Sequence, residues 1–217
     1  MQLPFTHEEF LDVFAAYNRM LWPAVVLLYA ATLVAIIDYA QRGADASRRL
    51  SWLLAVHWGW SGFVYHIAFF REINASATLF GVLFVLQAAF FAWQGGIRSN
   101  LRFSAPSRGW TWVGAVLVAY ALAYPGLGLA LGLHYPRIPA FAVPCPSTIL
   151  TAGALLAAPR RQVRPLAVIP ILWSGIGGSA AFLLGITADL ALLSGGIILL
   201  VYILTPTHNT ERQSYRE

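Results

Sequence analysis

Seven apolar stretches, most of them long enough to cross a bilayer, fill this chain, and arginine marks every second break between them. A hydrocarbon core of about 30 Å calls for roughly 20 mainly apolar residues per helix. The stretches are 20–37, 50–70, 76–95, 109–133, 146–158, 165–184 and 187–204. The fifth falls short unless it starts within the proline-rich segment before it. Hydrophobic residues make up 59% of the chain and charged residues 11%, against roughly 45–50% and about 25% in an average soluble domain. A globule of this size has no interior large enough for that excess, so lipid must be its solvent.

Arginine sets the expected orientation. Eleven of fourteen lie at Arg42, Arg48 and Arg49, at Arg98, Arg102 and Arg108, at Arg160, Arg161 and Arg164, and in the tail at Arg212 and Arg216. Basic residues in short loops stay cytoplasmic, so these breaks go inside. Seven crossings then put the N-terminus outside and the C-terminus in the cytoplasm. The inner side carries eleven arginines against four acids and the outer side three against five, which together give the net +5. The basic balance thus reflects orientation and contact with anionic lipid, and nucleic acid is not an expected partner.

Residues 1–19 hold His7, Glu8, Glu9 and Asp12 and lack the apolar core of a signal peptide. Thr6 and Glu9 have capping-box spacing, and Phe10, Val13, Phe14 and Tyr17 form an apolar face. This predicts an amphipathic outer helix lying at the interface. The expected fold is all-α: a polytopic membrane helix bundle in one integral membrane domain, 1–217, with 205–217 a cytoplasmic tail. In the sixth and seventh stretches, Ser174 to Ser179 and Ser194-Gly195-Gly196 are small-residue runs that favour close helix contact. Tyr124-Pro125-Gly126 predicts a kink in the fourth.

Polar residues within the spans are few. His57 and His66 share the second stretch but stand nine residues apart, about 13 Å along a helix, so one ion cannot bind both. Hairpin geometry sets His57 level with Gln87, and the two are expected to satisfy each other as a structural polar pair. His66 lies near the outer end beside Gly59 and Gly62, where small residues would leave room. Glu72, His134, Cys145 and Asp189 fall at the same level, as does Arg137, a partner for Asp189 or Glu72. Each has a plain reading as well: Glu72 a surface acid, His134 a solvated loop residue, Asp189 a first-turn acid favoured by the helix dipole. Cys145, within Pro144-Cys145-Pro146, is a small residue in a rigid turn, a soft-metal or haem ligand, or a reactive thiol at a helix N-terminus. The segment 134–144 is expected to cover part of the bundle from outside.

Every basic residue is arginine, so the chain has no lysine and forms no retinal or pyridoxal Schiff base. H-E-x-x-H, G-x-S-x-G and phosphate-loop motifs are absent. The single cysteine leaves no internal disulfide.

Leu3-Pro4-Phe5-Thr6, Ala16-Tyr17-Asn18, Trp22-Pro23, Tyr65-His66, Phe69-Phe70, Ile73-Asn74, Tyr135-Pro136, Pro144 to Thr148, and Trp173 with Gly177-Gly178-Ser179-Ala180 form a combination spread over nearly the whole chain. It resembles an uncharacterised bacterial multi-pass membrane family known by a domain-of-unknown-function label. The resemblance implies an inner-membrane protein and carries no activity with it. The leading expectation is a protein that binds or transports a small ligand or metal ion through an outward-facing polar pocket. His66 and Cys145 would touch the ligand or metal, with Asp189, Glu72 and His134 behind them. Two other readings stand beside it: a non-catalytic subunit or scaffold of a larger membrane complex, and an intramembrane enzyme using Cys145 or a metal-bound water.

Overall fold

The computed structural model describes residues 4–206, and every regular element among them is helical. The tail from residue 207 on, with Arg212 and Arg216, lies outside the described residues, as does Leu3. α1 spans His7–Arg42, α2 Ser47–Trp60, α3 Ala77–Phe91 and α4 Arg108–Ala130. α5 covers Pro144–Leu155, α6 Arg160–Leu166, α7 Val168–Leu184 and α8 Leu190–Leu204. α2 and α3 each continue with widened winding, as π-helical segments over Ser61–Phe69 and Ala92–Ile97. Among the described residues, four helical runs are long and apolar enough to cross a membrane: His7–Glu72, Ala77–Ile97, Arg108–Ala130 and Thr187–Leu204. The pair α6 and α7, bent by 54°, passes as a fifth.

The Thr6 and Glu9 box forms as expected: Thr6 N donates to Glu9 Oε2 at 2.7 Å, and Glu9 N donates to Thr6 Oγ1 at 3.2 Å. These backbone and side-chain bonds from Thr6 hold the Glu9 carboxyl below its ordinary pKa. The outer helix is not a separate element, however. α1 continues without a break from His7 through Pro23 to Arg42. In its first part Leu11, Val13, Phe14, Tyr17 and Asn18 are buried, so this segment packs on the bundle as part of one long rod.

Successive helices fold back on one another. Thr32 meets His57 and Asp38 meets Arg49 across α1 and α2. α2 and α3 meet so closely that a Cβ on Gly62 would lie 2.8 Å from the Gly81 carbonyl oxygen. The small-residue runs of α7 and α8 do touch, at Ser174 and Gly196. All three arginine-rich breaks gather at one end. There Arg48 donates to Gly96 O, Phe103 N to Ser47 Oγ, Arg102 N to Gln162 Oε1 and Arg164 to Ile203 O.

α5 explains the weak fifth stretch. Twelve residues reach only about 18 Å, and nearly all of them are buried. Within the 134–144 segment Ile138, Phe141, Ala142 and Val143 are buried, and they lead into α5. Such irregular backbone is tolerated at membrane depth only when protein satisfies its polar groups. Ser61 does this for the carbonyl of Ala142, the residue before the α5 cap, and Trp58 and His57 meet two side chains of α5. Ser61 Oγ donates to Ala142 O at 3.1 Å, Trp58 Nε1 donates to Thr151 Oγ1 at 2.8 Å, and Ser147 Oγ lies 3.3 Å from His57 Nδ1.

The sixth stretch, expected as one helix, is divided. Pro170 has no N–H for the Leu166 carbonyl four residues earlier, and the chain bends between α6 and α7. Gln87 Nε2 takes that carbonyl at 2.9 Å. α4, by contrast, stays helical through Pro125.

Candidate functional site

A cavity of about 330 Å³ lies at the end of the bundle opposite the arginine-rich breaks. Phe5 and the α1 residues Phe10 and Phe14 form one wall; Tyr65, His66 and Phe70, at the far end of α2, form the next. Phe80 of α3, Tyr124 of α4, the Val143-Pro144-Cys145 start of α5, Trp173 and Gly177 of α7, and Asp189 close it. Three of the five ligand candidates, His66, Cys145 and Asp189, therefore line one space. Glu72 and His134 do not; both are exposed and lie outside the lining.

His66 is fully buried, yet neither Nδ1 nor Nε2 has a hydrogen-bond partner. Its ring is boxed by Phe84 at 4.7 Å, Trp173 at 5.0 Å, Tyr65 at 5.5 Å and Phe80 and Phe70 at 6.0 Å between centroids. The Trp173 indole N–H is likewise buried and unpartnered. Buried polar groups are nearly always bonded, and leaving one bare costs about 1–3 kcal/mol. Two such groups in contact mark a place that the fold alone does not satisfy. The space beside His66 does not come from Gly59 and Gly62, which meet α3. It comes from the small residues Gly177, Ala180 and Ala181 on α7. His66 also sits in a π-helical segment, a local widening frequent at functional sites.

Asp189 is 3% exposed and occupies the cap position of α8, but its side chain makes no capping bond. The Tyr124 hydroxyl donates to Asp189 Oδ1 instead. Arg137 pairs with neither Asp189 nor Glu72: its two terminal nitrogens bond Glu8 Oε2 and Asp12 Oδ1, each at 2.6 Å. The carboxylates at the start of α1 take it up, and those of Asp12 and Glu8 raise its pKa. With His7 Nδ1 2.9 Å from Leu184 O, this pins the start of α1 over the cavity.

His57 and Gln87 do not satisfy each other as the equal-depth argument required. Gln87 is committed to Leu166 O. His57 lies 2.8 Å from Thr32 Oγ1, whose own proton goes to Leu28 O. The contact is therefore a donation from His57 Nε2, and Nδ1 accepts from Ser147. Its two bonds are both made, which sets it apart from His66.

A larger groove of about 690 Å³ opens between α1 and α4. Asn18 Nδ2 and the Tyr29 hydroxyl in its lining donate to the Pro136, Ile138 and Leu122 carbonyls, so these donors are already used within the fold. Among the described residues no group of three or more His, Cys, Asp or Glu stands together to hold a metal.

Cavity and helices together define an all-helical protein with membrane-length helices around a buried aromatic pocket. Over residues 7–214 the chain matches a family described as a family of unknown function (DUF6064), and it belongs to that family. No curated protein and no solved structure matches it.

Proposed function

We propose that the chain is a seven-crossing protein of the bacterial inner membrane that binds a small, largely apolar molecule in the cavity at its outer end. α1, α2, α3, α4, the segment 138–158, α7 and α8 would be the crossings, N-terminus outside and C-terminus cytoplasmic. The clustering of the arginine-rich breaks at one end supports that orientation. One observation carries the binding reading: His66, fully buried against the cavity, has both ring nitrogens free. A pocket of roughly 300–1,000 Å³, mostly apolar with a few placed polar groups, is the usual form of a small-molecule site. This cavity lies at the lower edge of that range. The lining is aromatic more than polar, and with no three-ligand metal set among the described residues, an organic molecule fits better than an ion.

The organic extract of protein purified in mild detergent tests this by mass spectrometry. We expect one co-extracted small molecule in near-stoichiometric amount, strongly reduced in His66→Ala. An empty, fully folded protein that binds no small aromatic probe would overturn the reading. Reporter fusions near Arg102 test the orientation separately: a periplasmic signal there would reverse it.

A further inference from the structure

The one ionisable carboxylate in the cavity lining has no counter-ion. Asp189 is 3% exposed, and among the described residues no Arg or His nitrogen lies within ion-pair distance of it. Among the described residues no arginine lines the cavity. Its own helix does not use it, since the side chain leaves the α8 N–H groups uncapped. Among the described residues its only side-chain bond is the one from Tyr124. An isolated carboxylate in a water-poor interior costs several kcal/mol unless a cation or a full set of donors meets it. Acids at membrane depth are accordingly tied to a partner or a substrate. The remaining surfaces suit the same charge: the rings of Tyr65, Phe70 and Trp173 line the cavity, and aromatic faces attract cations.

We propose that the molecule bound here is a small organic cation, an aryl or alkyl amine, with Asp189 as its counter-ion and the aromatic rings around its body. The proposal rests on the cavity being a ligand site. Taking liquid water's share of about 30 Å³ per molecule, the cavity has room for about ten non-hydrogen atoms. The Tyr124 hydroxyl holds Asp189 in place, and the free nitrogens of His66 and the Trp173 N–H remain to bond a polar substituent on the amine.

Isothermal titration of the full-length protein in detergent with three near-isosteric probes tests this: 2-phenylethylamine, 2-phenylethanol and 3-phenylpropanoate, cationic, neutral and anionic at neutral pH. The amine should bind at least about tenfold tighter than the alcohol, a modest charge-pairing gain. Asp189→Asn should erase that advantage, so that amine and alcohol bind alike. If Asp189→Asn does not fold, Asp189→Ser takes its place; it also removes the carboxylate, and an amine preference that persists in either variant overturns the proposal. Alcohol binding with no amine preference, or tightest binding of the propanoate, refutes the cation while the cavity reading survives. No binding of any probe removes both.

Discussion

The rings of His66 and Trp173 meet edge to face with centroids 5.0 Å apart, and every nitrogen the two rings carry is buried and unbonded. In the ligand-free protein this is a cost, not a contribution to stability. Replacing His66 by phenylalanine removes two bare polar atoms and puts an apolar ring among Phe80, Phe84 and Phe70. Restoring about 1 kcal/mol of the desolvation cost should raise the melting midpoint by about 2–4 °C for a chain of this size. The same variant should lose binding of the co-extracted molecule. Differential scanning fluorimetry of ligand-stripped protein checks the first effect. A clear drop in the midpoint would mean that the imidazole is a structural residue.

His57 should behave in the opposite way. Its two nitrogens bridge Thr32 of α1 to Ser147 of α5, and Phe141 lies edge-on to its ring at 5.2 Å. His57→Leu leaves the Ser147 hydroxyl buried without its acceptor and removes a tie between helices. The expected loss is about 1–2 kcal/mol, at the upper end for side-chain hydrogen bonds between membrane helices. Thr32→Val combined with His57→Leu should cost less than the two single losses added together, because both break the same bond. Additive losses would show that the two residues act independently.

The contrast between the histidines was only partly legible beforehand. Depth in a hairpin follows from counting residues, and that count sets His57 level with Gln87. Direction around the helix does not follow from depth: His57 turns to α1 and α5, and Gln87 turns to the carbonyl that Pro170 leaves free. The capping box at Thr6 and the arginine-rich breaks are local or compositional signals and were readable. Two things hid the continuity of α1: Pro23 and the change from amphipathic to apolar composition imitate a boundary. Cys145, Asp189 and His66 could be ranked by type and level, but Trp173, Tyr65 and Tyr124 could not. Their roles depend on the π-helical shift after Trp60 and on which face of α7 meets α2. Trp173 had one readable signal, a lone indole just before a run of small residues.

α4 and α5 approach nearest at a pair of glycines. A Cβ on Gly114 would lie 2.4 Å from the Gly153 carbonyl oxygen, and one on Gly153 would lie 2.6 Å from that of Gly114. Both obstacles are backbone, so no side-chain rotation relieves them. Gly114→Ala and Gly153→Ala should each cost about 1–3 kcal/mol, the range of overpacked cores. Because α5 carries one wall of the cavity, both should also weaken ligand binding. Gly175→Ala is the control: a Cβ there meets nothing within 4 Å, and a helical glycine exchanged for alanine gains up to about 1 kcal/mol. Equal melting shifts in all three variants would place the constraint elsewhere.

Cys145 is the chain's one cysteine, which makes it a direct reporter of access to the cavity. The wall of the cavity formed by the start of α1 and the residues before it includes Phe5, Phe10 and Phe14. That wall is pinned by the ion pairs of Arg137 with Glu8 and Asp12 and by the contact of His7 with Leu184 O. These side chains are 43–68% exposed, and ion pairs this open contribute at most about 1 kcal/mol and weaken in salt. Mixed-disulfide formation with a small polar methanethiosulfonate, which releases methanesulfinate, should therefore be slow in the native protein and several-fold faster in Arg137→Ala or at high salt. A charge-free detergent control at matched temperature separates opening of the wall from general loosening: the midpoint should move by no more than about 2–4 °C, the shift that 1 kcal/mol produces. Native labelling already as fast as that of a free thiol would mean that α1 does not close the cavity. Labelling that ignores both Arg137 and salt would mean that these ion pairs do not govern access to Cys145.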